Sequence, residues 1–199
     1  MTITFQSWMR AVWISLIEPA EIAAKVLTMR FRRDVMWTAM ALIAVVNVLL
    51  LEIFKFLTPS NALMHEQVLS LSPFSYTAII GSFLALLAVM LVQAGRIFGG
   101  RGTLDGALML IIWLQAISLT LETIQVALLF ISIHVASLFG MISLGAIIWV
   151  IINFINVLHG FSNVGKSVLV IAMAMIATGF GMLFVMAFLG VSPPVGAAT

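Results

Sequence analysis

The sequence predicts an all-α membrane protein: five transmembrane helices preceded by an N-terminal amphipathic cytoplasmic arm. Three observations carry this. The 199 residues are 63% hydrophobic and only 8% charged, with a mean hydropathy of +1.25, which is more apolar surface than a soluble domain of this size can hide from water. The apolar residues fall into five blocks of about 22–28 residues, each long enough to cross a hydrocarbon core of about 30 Å as a helix. The cations gather on one side of those blocks. The blocks do not alternate in polarity as barrel strands do, and a helix satisfies its backbone groups within the segment, as hydrocarbon demands.

The arm comes first, over residues 1–34. Phe5, Trp8, Met9, Val12, Trp13 and Leu16 recur at helical spacing on one face. Pro19 is suited to open a second short helix. Arg30, Arg32 and Arg33 stand where the chain enters the membrane. Two readings fit. The arm lies in the plane of the membrane, anchored by Trp8 and Trp13 with its arginines drawn to anionic lipid, or it packs under the bundle and the arginines only fix topology. Arg10, Glu18 and Glu21 interrupt the stretch, and no cleavage pattern follows it, so it does not fit a secretory signal. The five spans are expected over residues 36–57, 75–98, 104–131, 135–158 and 168–190, forming one domain over 35–190. Residues 191–199, rich in small side chains, read as a flexible tail.

Orientation follows from the cations. Arg10, Lys25, Arg30, Arg32 and Arg33 precede the first span, Arg96 and Arg101 lie between the second and third, and Lys166 lies between the fourth and fifth. Eight of the nine Lys and Arg residues therefore fall on one side; Lys55 is the ninth. The positive-inside bias places the N-terminus in the cytoplasm. Five crossings then put the C-terminus outside, along with the loop over 58–74 that carries His65 and Glu66.

Candidate chemistry is sparse. Without cysteine, disulfides, thiolate metal sites and thiol catalysis are excluded. A net charge of +2 is too small to indicate nucleic acid. His65 and His134 lie at the opposite side from His159, so the histidines cannot share a metal. No nucleophile, histidine and carboxylate occupy one level. No catalytic residue, metal or cofactor is expected. Gly160, Gly165, Lys166 and Ser167 match the spacing of a phosphate-binding loop, but a membrane helix leads into it where that loop needs a strand, which argues against nucleotide binding. Gly99, Gly100, Arg101 and Gly102 read as a tight cytoplasmic turn with Thr103 capping the third span. Within the spans, Asn47, Glu122, Gln125 and Ser143 are expected at similar depth as a polar layer; an ionisable group such as Glu122 costs about 2.5–3.5 kcal/mol if charged there and usually faces protein or water. The layer serves as an interhelical tie or as a proton or ligand site. The pairs Ala136 with Gly140 and Ala177 with Gly181 favour close helix contact.

Three stretches resemble one family. FGGRGTLDGALMLIIW at 98–113, EPAEIAAKVL at 18–27 and NVLHGFSNVGKSVLVIAM at 156–173 are similar to bacterial members of the Yip family, the Ypt/Rab-interacting type of membrane protein. The resemblance implies a multi-span, non-enzymatic protein of the bacterial inner membrane with a cytoplasmic N-terminus. It implies a role in recruiting a partner or shaping the bilayer, through the arm and the two cytoplasmic turns that carry Gly99 to Gly102, His159 and Lys166. Expected partners are the lipid bilayer and a membrane protein or second copy of the chain. Eukaryotic relatives bind Rab-type GTPases and carry a long cytosolic region with an acidic-tyrosine-glycine-proline motif. The only tyrosine here is Tyr76, and Ile112-Trp113 stands where relatives often have Gly-Tyr, so GTPase binding is not carried over. Two other roles fit the same residues: an accessory subunit of a larger membrane complex, or a small transporter or channel using Glu122.

Overall fold

The structure, a computed structural model, describes residues 4–57 and 72–189. His65, Glu66 and the tail over 191–199 lie outside the described residues. Those described form seven helices and no strand: α1 (Phe5–Ile17), α2 (Pro19–Thr28), α3 (Arg33–Leu57), α4 (Pro73–Ile97), α5 (Leu104–Leu129), α6 (Ile133–His159) and α7 (Val164–Phe188). The last five are long and apolar enough to cross a membrane.

Local chemistry sets the boundaries. Thr4 and Ser7 form a reciprocal capping box at the start of α1. Pro19 opens α2 at the first helical position. The Thr103 hydroxyl accepts from the Gly106 N–H to start α5, as the sequence predicts. Four helices begin earlier than the apolar pattern indicates, α4 and α6 by two residues and α3 and α7 by more. α3 gains a polar first turn at Arg33 and Asp34. α7 begins at Val164 instead of residue 168, because the Asn163 side chain caps it. Hydropathy reads those polar first turns as loop, while the backbone needs only a cap to become helix.

α4 and α5 form the centre. Both carry long buried faces, including Leu84, Ala88 and Leu91 on α4 and Ala107, Leu108, Ile111 and Ile117 on α5. α4 packs on α3, α5 and α7, while α5 also meets α6 and the arm. Side chains as apolar as lipid gain little from leaving it, so close fit decides the packing. Gly181 receives Leu86 of α4, and Gly140 receives the Gln125 side chain of α5; a Cβ at either glycine would overlap that neighbour. Phe154 and Val150 of α6 are fully buried, while Leu138, Met141, Ile142 and Leu144 of the same helix remain exposed as a lipid-facing side.

The arm supplies the main geometric finding. The Trp8 indole N–H donates to the Thr120 hydroxyl at 3.1 Å. The Trp113 indole N–H donates to the Ser15 hydroxyl, also at 3.1 Å, and Ser15 donates onward to the Ala11 carbonyl. The two indoles meet edge to face at 5.8 Å. Residue numbers rise along α1 as they fall along α5, so the two helices run antiparallel. Thr120 lies about 24 Å along the α5 axis from Leu104, about two thirds of the way along the span. α1 therefore stands beside α5 within the bundle and does not lie across the helix ends. Leu27 of α2 reaches Gly106, so α1 and α2 together stand beside about two thirds of α5, the part nearest Arg96, Arg101 and Lys166, hereafter the basic end. Trp8→Ala is expected to speed amide hydrogen exchange across residues 5–17 while leaving α4 and α5 protected; an unchanged α1 would show that the indole contacts do not hold it.

Candidate functional site

The chemistry-bearing residues gather at the basic end and in one cavity deeper in the bundle. At the basic end, α4 and α6 finish in the same way. Gly99 has φ +80° and Gly160 φ +66°, left-handed values that favour glycine. Each lets its own amide and the next turn back onto the last helical carbonyls, the next one as Gly100 N–H donating to Gly95 O at 2.8 Å and Phe161 N–H to Asn156 O at 3.0 Å. These closures bring both helix ends together around the His159 imidazole, which is 2% exposed.

The ring is held at Nδ1 and on one face. The Gly102 N–H donates to Nδ1 at 3.2 Å, and the Arg101 N–H donates to the His159 carbonyl at 3.2 Å. Accepting at Nδ1 fixes the neutral tautomer, with the proton on Nε2. Nε2 faces the Leu91 carbonyl without reaching hydrogen-bond geometry. Phe161 stacks on the ring at 5.2 Å, and Lys166 Nζ lies 5.7 Å from the Phe161 centroid. A Cβ at Gly95, Gly100 or Gly102 would overlap the imidazole. The glycines of this turn thus answer a side chain almost 60 residues away, which no local turn pattern reveals; the informative signal would have been buried His159 read together with Gly95, Gly100 and Gly102. The arrangement is a neutral structural clamp joining the α4–α5 turn to the end of α6. It leaves the Arg101 and Lys166 side chains exposed.

The phosphate-loop spacing is committed elsewhere. Gly160 closes α6, the Gly165 N–H donates to the Asn163 side chain at 2.7 Å, and Ser167 is fully buried. Of the groups that would meet a phosphate, the Phe161, Gly165 and Lys166 amides are already engaged and the Ser167 hydroxyl is buried.

Of the expected polar layer, Asn47, Glu122 and Gln125 line one cavity of about 300 Å³ between α3, α4 and α5, walled by Leu50, Leu51, Phe54, Ile80 and Val126. Ser143, on α6, does not line it. Asn47 donates to the Ile43 carbonyl of its own helix at 2.9 Å, so it does not tie to Glu122. Glu122 is half-buried and has no hydrogen-bond partner among the described residues.

The arm residues separate. Trp8 is half-buried against α5, whereas Trp13 is 64% exposed and faces outward. Glu21 is held below the ordinary carboxylate range by its hydrogen bond to Lys25, one turn away. Glu18 is pushed up by its hydrogen bond to Glu21 and by that neighbour's charge. Arg32 pairs with Asp34 at 3.0 Å. Arg33 grips Asp105 through two bonds, at 2.9 and 3.3 Å, tying the start of α3 to the first turn of α5. Arg30 is exposed between α2 and α3. Among the described residues, no group of three or more His, Cys, Asp or Glu side chains could hold a metal.

The clamp makes a coupled prediction. Gly102→Ala is expected to destabilise the protein by about 1–3 kcal/mol through overpacking. In His159→Ala, where the ring is gone, the same change should cost far less. Thermal unfolding of the four proteins in detergent completes the cycle; additive costs would mean that the glycine and the ring do not interact.

The Yip1 domain matches residues 13–187, a stretch that includes α2 and all five spans. No curated protein and no solved structure matches the chain.

Proposed function

The chain belongs to the Yip1 family, and from that premise we propose that it is a non-enzymatic membrane protein that shapes the bilayer from its cytoplasmic leaflet. In this reading the basic end is cytoplasmic, as the cation bias requires. The N-terminus is then cytoplasmic and the C-terminus outside, in a bacterial inner membrane. The observation that supports it is the arm that stops short of the far end of the bundle. α1 and α2 add helical volume along about two thirds of α5 from the basic end and none beyond it, which makes the molecule a wedge. Phe5, Trp13 and Ile17 face outward from α1 and displace lipid chiefly on the basic side, as interfacial helices do. The clamped turns present Arg101 and Lys166 beside the wedge, where they attract anionic lipid or meet a membrane protein or a second copy of the chain.

Vesicles of mixed size test this. With the basic end outward, the full chain is expected to concentrate several-fold in the most curved vesicles, and a variant lacking residues 4–28 is expected to spread evenly. Equal sorting of both, with the shortened protein still folded by circular dichroism, would remove the arm from any role in curvature.

A second reading rests on the cavity that Glu122 shares with Asn47 and Gln125: a small transporter or channel. Proton or solute flux into proteoliposomes that Glu122→Gln abolishes would favour it.

A further inference from the structure

We propose that the basic end contains a discrete binding site for one anionic phospholipid. It comprises a polar chamber for the headgroup and an apolar groove for an acyl chain. The inference requires the chain to sit in a membrane, but not that it bends one.

Two adjoining cavities make up the site. The first, about 610 Å³, lies between the end of α2, the linker to α3 and the start of α5, with Arg30, Arg101, Thr103 and Asp105 on its polar side. The second, about 200 Å³, is lined by Val26, Val35, Ala39, Ile112 and Trp113 among others, without a charged residue. Met29, Phe31, Met36 and Met109 line both, so one opens beside the other. The larger falls within the usual size of ligand sites, about 300–1,000 Å³. The apolar groove runs inward along α3 and α5. Trp113 lies nine residues into α5, about 14 Å from Leu104, so the groove follows the direction an acyl chain takes from the surface.

Charge selects the headgroup. Asp105 is engaged by Arg33 through two bonds, so its carboxylate is already neutralised. Arg30 and Arg101 reach the chamber from different segments, and neither has a carboxylate within 4.0 Å among the described residues. Two guanidinium groups facing one chamber suit a phosphate, which they bind through paired N–H donors. The chamber carries a surplus of positive charge at the level where lipid phosphates lie. A zwitterionic lipid brings its own ammonium into that surplus and is disfavoured; a lipid with net negative charge is not.

The methionines suit this role. Met29, Met36 and Met109 offer unbranched, adaptable side chains to a flexible chain. Phe31 and Trp113 close the wall.

Native mass spectrometry of the full chain released from bilayers of equal phosphatidylglycerol and phosphatidylcholine tests the site. The expected result is one retained phosphatidylglycerol. Arg30→Gln with Arg101→Gln should reduce its retention about tenfold, while the charge-matched control Lys25→Gln with Arg96→Gln, both outside the cavities, should not. Ala39→Trp, which fills the groove and leaves both arginines, should also release the lipid. Retention that falls equally in the control pair would mean diffuse surface attraction and would overturn the proposal. So would retention untouched by Ala39→Trp. Millimolar inorganic phosphate added before release should leave the lipid in place; displacement would assign the chamber to free phosphate.

Discussion

Two indole N–H groups decide how this protein is built. In a bilayer an unpaired polar hydrogen is costly. Trp8 and Trp113 resolve this by donating to Thr120 and Ser15, each on the opposite helix. Those bonds are spaced so that α1 must stand upright and antiparallel to α5. Everything particular to the arm follows: its reach partway along the bundle, its packing on α6 as well as α5, and the delivery of α2 to the first turn of α5, where Leu27 meets Gly106. The chambers that contain Arg30 and Arg101 exist because α2 arrives there.

The basic end is fixed by a second constraint of the same kind. A buried imidazole needs partners for its nitrogens and room for its ring. Gly102 supplies a donor, and Gly95, Gly100 and Gly102 supply room by having no side chain. The Arg33–Asp105 pair then locks α3 to α5. One end of the bundle is thus stapled by the clamp, the ion pair and the docked arm. Within the described residues, the other end carries Lys55 against Glu52 at 2.9 Å and over the Tyr76 ring at 4.6 Å. This asymmetry suits a protein whose working surface is on one side.

The spans were readable from the chain because length and apolarity alone distinguish a membrane helix, and their edges slipped most where polar first turns after Arg33 and Asn163 extended α3 and α7. Depth groups Asn47 with Glu122 and Gln125, since helices crossing one slab place residues at equal count from the edge at equal height, and the three line one cavity, but depth did not reveal that Asn47 bonds within its own helix. Ser143 shows the limit of that count: height says nothing of which way a helix is turned. The His159 clamp was not readable, because its glycines look like any turn and their reason lies on another helix. The attitude of the arm was not readable either. An amphipathic face fits a membrane surface and a bundle equally well, and only the pairing of Trp8 with Thr120 separates them.

The account depends most directly on the upright arm. The chain has no cysteine, so Phe5→Cys carries a single spin label. Phe5 is 81% exposed at the end of α1 farthest from the basic surface. In a reconstituted bilayer, the label is expected to be accessible to oxygen, shielded from a water-soluble nickel complex, and deeper than a label at Thr28→Cys. A label at Phe5→Cys as accessible to nickel as one at Thr28→Cys would mean that α1 lies on the surface, and the wedge would be lost with it.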